Sequence, residues 1–322
     1  MYWLELAGED DAFAVAEARA AAASSVERVA PGLALAADVA LDRVPALAYT
    51  RYANALVARA SASVPDAVAA LDDAELTRSG SVAVRARDVR NAADVDTQRA
   101  ERELGAALVA RGFDVDLEDP DHELRAAFAD DDCLLGWRAA ASVRDYGTRK
   151  PTDRPFFQPG SMDPMLARAL CNLAGARPGT RLLDPMCGTG GVLIEAGLVG
   201  ADPVGNDAQS KMVRGARENL AHYLDGAAVV RGDATRLGLR DDAVDAVVFD
   251  APYGRQSKIA THALSDLVAG ALTEARRVAT GRCVLVADRD WRDAAREAGW
   301  TVRERFERRV HRSLVRYVLV LV

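Results

Sequence analysis

From Pro164 onward, short apolar runs ending in an acidic residue alternate with amphipathic stretches. Arg181–Asp184, Pro203–Asp207, Ala227–Asp233, Ala243–Asp250 and Arg282–Asp288 predict strands. Between them, Gln209–Tyr223 and His262–Val278 carry the three-and-four spacing of helices. Strand–helix repeats of this kind predict a parallel sheet with helices on both faces. The rhythm breaks at the end, where Thr301–Val310 and Ser313–Val322 read as consecutive strands and predict a terminal antiparallel hairpin. The first half is organised differently. Tyr2–Ala7 and Ser81–Val89 predict strands, and Ala12–Ala23 and Thr97–Arg111 predict helices, the second ended by Gly112. Phe113–Leu117 predicts a further strand, and His122–Phe128 with Cys133–Ala139 a hairpin around the acidic tip Asp130–Asp132. This is an α+β arrangement, separated from the α/β half by the Pro-, Gly- and charge-rich Tyr146–Pro159.

Composition narrows the class. Half of the residues are apolar, as in a folded protein, and no apolar run approaches the roughly 18 residues of a membrane span. The opening MYWLELAGEDDAF lacks a basic region and predicts no secretory leader. Cys133, Cys171, Cys187 and Cys283 form no C-x-x-C pair, which argues against zinc or a disulfide framework and suits a reducing cytoplasm. The chain holds 33 Asp and 15 Glu against 38 Arg and 3 Lys. So acidic and lysine-poor a composition predicts a halophilic source, where charges are screened within about 3 Å at 1 M salt. Residues 1–150 carry 17 basic and 27 acidic side chains, and residues 151–322 carry 24 and 21. The second half, at net +3, is therefore the better candidate for touching phosphate.

The chemistry-bearing motifs all fall at predicted strand ends. In LLDPMCGTGG, a buried strand delivers Asp184, and Pro185, Met186, Cys187, Gly188 and Gly190 form a turn into the next helix. The loop is neither G-x-G-x-x-G nor a lysine-bearing phosphate loop. A leading carboxylate would repel a diphosphate but suits a ligand with an ammonium and a sulfonium, as in S-adenosylmethionine. Asp207 lies 23 positions after Asp184, placed for ribose hydroxyls and equally placed to cap the following helix. Asp233 and Ala234 end the third strand, where the carboxylate would accept from an adenine amine. The fourth strand ends in FDAPYG. An exocyclic base amine is a poor nucleophile, so its site must accept both N–H bonds and aim the lone pair. Asp250 and the carbonyl of Ala251 supply two acceptors, Pro252 fixes the turn, and Tyr253 offers a stacking face.

The tetrapeptide Asp250–Tyr253 resembles the [DN]-P-P-[YFW] motif of amino methyltransferases acting on adenine N6, cytosine N4 or guanine N2. Ala251 departs from it, and with proline absent a looser loop is expected. RPFFQPGSMDPMLARALCNL (Arg154–Leu173), LLDPMCGTGGVLIEA, FDAPYGRQS and HRSLVRY together resemble the archaeal tRNA (guanine-10-N2)-methyltransferases over nearly all of residues 150–322. The resemblance implies a Rossmann-like class I methyltransferase sheet with a terminal antiparallel hairpin at 161–322. It further implies a linker at 146–160, an RNA-binding THUMP domain at 46–145 and a ferredoxin-like ancillary segment at 1–45. Phe156–Met162, with Phe157 in the base pocket, would cover the cofactor. Arg255 and Lys258 would contact the flipped nucleotide. Arg85 and Arg87 are RNA-facing candidates, although a purely solvated role accounts for them equally well. The implied partner is tRNA, with no metal and no membrane. The protein would work as a cytoplasmic monomer or with a small activator subunit, as the eukaryotic enzyme does. Another guanine in tRNA or rRNA, adenine N6, and an inactive RNA-binding subunit are the alternatives.

Overall fold

The computed structural model describes residues 1–252, 264–311 and 314–322, arranged in two compact units, Met1–Val143 and Arg144–Val322. The first unit runs β1 (Tyr2–Leu6), α1 (Asp11–Ala21), β2 (Ser25–Ala30), β3 (Leu33–Ala37), β4 (Thr50–Ser61), α2 (Val64–Asp73), β5 (Ser81–Asp88), α3 (Thr97–Ala110), β6 (Asp114–Val115), β7 (His122–Ala129) and β8 (Asp132–Ala141). Its strands form one sheet in the order β2-β3-β1-β4-β8-β7-β5-β6. Helices α2 and α3 bury Leu71, Leu104 and Leu108 against Val82, Leu124 and Leu135 of that sheet. The side chains of Ser63 and Asp96 cap α2 and α3 by accepting from backbone N–H groups of the first turn.

Several expectations for this half need correcting. Strands β2, β3 and β4 and helix α2 were not anticipated. No break in the sheet marks the boundary expected between residues 45 and 46. β4 pairs with β1 through Tyr52 opposite Glu5, and with β8 as far as Ser61 opposite Asp132. The predicted strand Phe113–Leu117 contracts to the two-residue edge strand β6. The hairpin of β7 and β8 forms as expected, with Asp130 at its tip in a left-handed conformation (φ 47°).

The second unit runs α4 (Pro164–Ala174), β9 (Arg181–Asp184), α5 (Gly191–Leu198), β10 (Asp202–Asp207), α6 (Ser210–Tyr223), β11 (Ala228–Arg231), β12 (Ala246–Asp250), α7 (Leu264–Val278), β13 (Cys283–Ala287), α8 (Arg292–Glu297), β14 (Val302–His311) and β15 (Leu314–Leu321). Its sheet has the order β11-β10-β9-β12-β13-β15-β14. β9 to β13 are parallel, and β15 joins β13 and β14 antiparallel, closing the sheet with the expected hairpin. The order reverses beside β9, so the carboxyl ends of β9, β10 and β12 frame the crevice where open α/β sheets bind ligands. The expected linker at 146–160 instead belongs to this unit, and the division falls at Val143. Two short 3-10 turns, Tyr146–Arg149 and Pro151–Asp153, carry Arg149 and Arg154 into the interior. Among the described residues, no helix is long and apolar enough to cross a membrane.

Candidate active site at the sheet switch point

The loop after β9 is shaped by hydrogen bonds that its own sequence supplies. The Gly190 N–H donates to the Cys187 carbonyl (2.7 Å), and Gly190 adopts φ 80°, which a residue with a side chain resists. Asp207, at the end of β10, reaches back and accepts from the Gly188 N–H (3.0 Å) and from its own helix through the Gln209 N–H (2.8 Å). Asn206 ties three loops together. Its side-chain amide donates to the carbonyls of Pro185 (3.0 Å) and Gly232 (3.1 Å), and its backbone carbonyl accepts from the Cys187 N–H (2.9 Å). Side chains at 205 and 232 would collide with Leu193 and with Asn206 itself, so glycine at both positions permits this close approach.

A second brace holds the segment ahead of α4. Asn219, fully buried on α6, accepts from the Phe156 N–H (2.8 Å) and donates to the carbonyls of Phe156 (2.9 Å) and Thr189 (2.9 Å). The Ser161 and Thr189 hydroxyls lie 3.1 Å apart. Between this segment and the strand ends is a cavity of about 230 Å³. Asp184, Met186, Cys187, Gly188, Asp250, Ala251 and Pro252 line it, joined by Gln158–Met162 and Met212.

The walls are acidic and carry no lysine or arginine among the described residues. Burial pushes the Asp184 carboxyl well above the ordinary carboxylate range, and nearby Asp207 and Asp250 push it further. The Met186 N–H, 3.0 Å away, opposes the shift. Burial also raises Asp207, against two backbone donors. An Arg316 guanidinium nitrogen stands 3.9 Å from the Asp250 carboxylate. Burial drives all four thiols up, Cys133 to about 12, so none is poised as a thiolate nucleophile.

The other sequence candidates are placed elsewhere. Pro185 contributes its carbonyl to Asn206 rather than a face to the cavity. Asp233 accepts from the Thr235 N–H and hydroxyl (both 2.8 Å), and Ala234 is buried in the core beneath α7; neither lines the cavity. Phe157 does not line the cavity and is 45% exposed, whereas its neighbour Phe156 packs on Gly215 of α6. Arg85 and Arg87 lie in the first unit, the former donating to the Leu117 carbonyl (2.8 Å) and the latter to buried Glu5 (2.5 Å). Tyr253, Arg255 and Lys258 lie outside the described residues. Sequence reasoning missed the bracing roles of Asn206 and Asn219. The available signal was an asparagine in the otherwise apolar stripe of α6.

Residues 151–318 match the RMKL-like methyltransferase domain family and residues 62–138 the THUMP domain family. The tRNA (guanine(10)-N2)-dimethyltransferase of Methanothermobacter thermautotrophicus is 39% identical over 282 residues, 85% of this chain and 83% of that protein. The chain belongs to this THUMP-containing methyltransferase family. A second member, the tRNA (guanine(10)-N2)-dimethyltransferase of Pyrococcus abyssi, is 33% identical over 80% of this chain and 78% of its own. The crystal structure of TrmN from Thermus thermophilus, at 24% identity, shares the fold over 100% of this chain and 99% of its own (TM-score 0.51). The methyltransferase match begins at Pro151, inside the supposed linker, in keeping with the packing of that segment. The THUMP match covers α2 to most of β8, while β1 to β4, which belong to the same sheet, precede it entirely.

Proposed function

We propose that the protein transfers methyl groups from S-adenosylmethionine to the exocyclic N2 amine of a guanosine in tRNA, at position 10. The observation that carries this reading is the meeting of Asp250, Ala251 and Pro252 with the Asp184 loop in one cavity at the sheet switch point. Acidic walls, with no lining cation among the described residues, fit an ammonium- and sulfonium-bearing ligand and disfavour a diphosphate. Asp184 would hold the ammonium, and Asp207, whose oxygens each keep a lone pair, the ribose hydroxyls. When bound, the cofactor supplies a methyl group activated on sulfur. Asp250 accepts one N–H of the base amine, the Ala251 carbonyl accepts the other, and Asp250 takes the proton that the amine loses. Tyr253 would stack on the base, with Arg255 and Lys258 near its phosphates. A monomethylated amine keeps one N–H for Asp250, so this geometry leaves a second transfer open, and the curated relatives are named as dimethyltransferases.

In this reading the THUMP-containing unit grips the tRNA, and the acid-rich, lysine-poor composition supports a reaction run at high salt. The test is transfer of labelled methyl to unmodified tRNA transcripts in molar KCl, followed by nucleoside analysis and mapping. N2-methylguanosine or its dimethyl form, lost when guanine 10 is replaced, is the expected result. Label in N6-methyladenosine, or no label in RNA, would overturn the substrate assignment.

A further inference from the structure

Helix α5 begins at the cavity and carries an excess of buried positive charge beside it. Its Glu195 is fully buried, and both carboxylate oxygens are engaged, with Arg149 Nε at 2.9 Å and an Arg168 Nη at 2.7 Å. Arg149 also pairs with half-exposed Asp145 (2.8 Å). A third arginine, Arg154, is only 4% exposed. Its Nε donates to the Arg149 carbonyl (3.2 Å), but neither terminal nitrogen has a hydrogen-bond partner among the described residues. Four guanidinium N–H bonds are therefore held out of water without an acceptor, a strongly unfavourable arrangement for a charged group. Burial lowers the affinity of Arg154 for its proton; Glu195 opposes the shift, and the neighbouring Arg149 charge adds to it.

The position of this guanidinium indicates what it awaits. One terminal nitrogen lies 2.8 Å from where a side chain on Gly191 would begin. Gly191 is the first residue of α5 and lines the cavity, and the cap residue Gly190 offers no side chain to the helix N–H groups. The amino end of the helix and the guanidinium behind it thus place positive potential at the same rim. Elsewhere the cavity carries the carboxylates of Asp184 and Asp250.

We infer that Arg154 is a positioning residue for the carboxylate of an α-amino-acid group bound at the amino end of α5, the counterpart of Asp184 at the ammonium. This rests on the assignment of S-adenosylmethionine to the cavity. It makes the site selective for the complete zwitterion, because each pole of the amino acid meets opposite charge. It also gives Gly191 a reason to be glycine, since any side chain there would drive the guanidinium back.

The test compares S-adenosylhomocysteine with its decarboxylated analogue by calorimetric titration against the full chain, wild type, Arg154→Met and Arg154→Lys. Arg154→Met is expected to weaken the parent ligand about tenfold or more and the decarboxylated analogue less than about threefold. Arg154→Lys, which keeps the charge, should fall between. Equal losses for both ligands would assign Arg154 a purely structural role, and no loss for the parent would overturn the inference outright. Should Arg154→Met fail to fold, Arg154→Lys decides alone: an unchanged preference for the carboxylate-bearing ligand refutes the proposal. Failure of the wild type to bind either ligand would instead remove the cofactor assignment itself, and the inference with it.

Discussion

Asn219 is the side chain on which the cavity's two walls most directly depend. Its amide oxygen takes the Phe156 N–H, and its amide nitrogen serves the carbonyls of Phe156 and Thr189, all within 2.9 Å. Asn219→Ala leaves one donor and two acceptors without this partner in a buried position. Each orphaned group costs about 1–3 kcal/mol, moderated here because Phe156 is only partly buried, so the expected loss is about 2–4 kcal/mol. Asn219→Asp is the sharper probe, since it is isosteric. Its carboxylate still accepts from Phe156 but turns a second oxygen toward two carbonyls that need a donor. That environment disfavours the ionised form and raises the new carboxyl's folded pKa above its unfolded value of about 3.9. A raised folded pKa means that the folded state holds its proton more tightly. The deficit relative to wild type is thus greatest above the raised pKa and shrinks as the pH falls toward 4. Urea unfolding at pH 7.5 and pH 5 reads both effects, and titration with S-adenosylhomocysteine reads the loosened wall as weaker binding. If Asn219→Asp matched wild type at pH 7.5, or Asn219→Ala cost under about 1 kcal/mol, the bracing role would be wrong.

Asp184→Asn should raise the thermal midpoint near neutral pH while weakening S-adenosylhomocysteine at least tenfold. The raised folded pKa of Asp184 means that its ionised form costs stability, a cost complete above that pKa and relieved as the pH falls toward the unfolded value, so a lowered midpoint would contradict the assignment. Gly215→Ala places a Cβ 2.0 Å from the Phe156 ring. The expected clash of about 1–3 kcal/mol outweighs the roughly 1 kcal/mol gain in helix propensity. Gly105→Ala on α3, where a Cβ meets nothing within 4 Å, should instead gain about 0.5–1 kcal/mol in urea unfolding.

How far the molecule could be read from its residues varied with the physics involved. Asp184, Asp207 and Asp250 were legible as strand ends because each closes an apolar run, and the parallel sheet follows from the strand–helix repeats. β3 and β4 were not, because LALAA and TRYANALVARAS are built on alanine and lack the large alternating side chains that mark a half-buried strand. β4 is instead set by pairing with β1 and with β8, a partner more than 70 residues away in sequence. Asp233 and Ala234 were read as the end of the third strand, but β11 stops at Arg231, and Asp233 sits in the following turn, where its carboxylate accepts from Thr235. Phe156 and Phe157 are adjacent and identical in chemistry, so only the backbone, held by Asn219, decides which of them packs inward.

Ala251 shows how a departure from a motif is absorbed. Where the related amino methyltransferases carry proline, this chain keeps a backbone N–H, and that N–H donates to the Val286 carbonyl at 2.8 Å. The bond continues the β12–β13 ladder one residue past Asp250, at the point where the strand hands over to the turn. A proline there would restrict the unfolded chain, worth about 0.4–1 kcal/mol, but could not make this bond, worth about 0.5–1.5 kcal/mol. The two effects are of similar size. At Ala251 itself the torsional restriction of a proline is replaced by a rung of the sheet, and the Ala251 carbonyl keeps a fixed base beside Asp250.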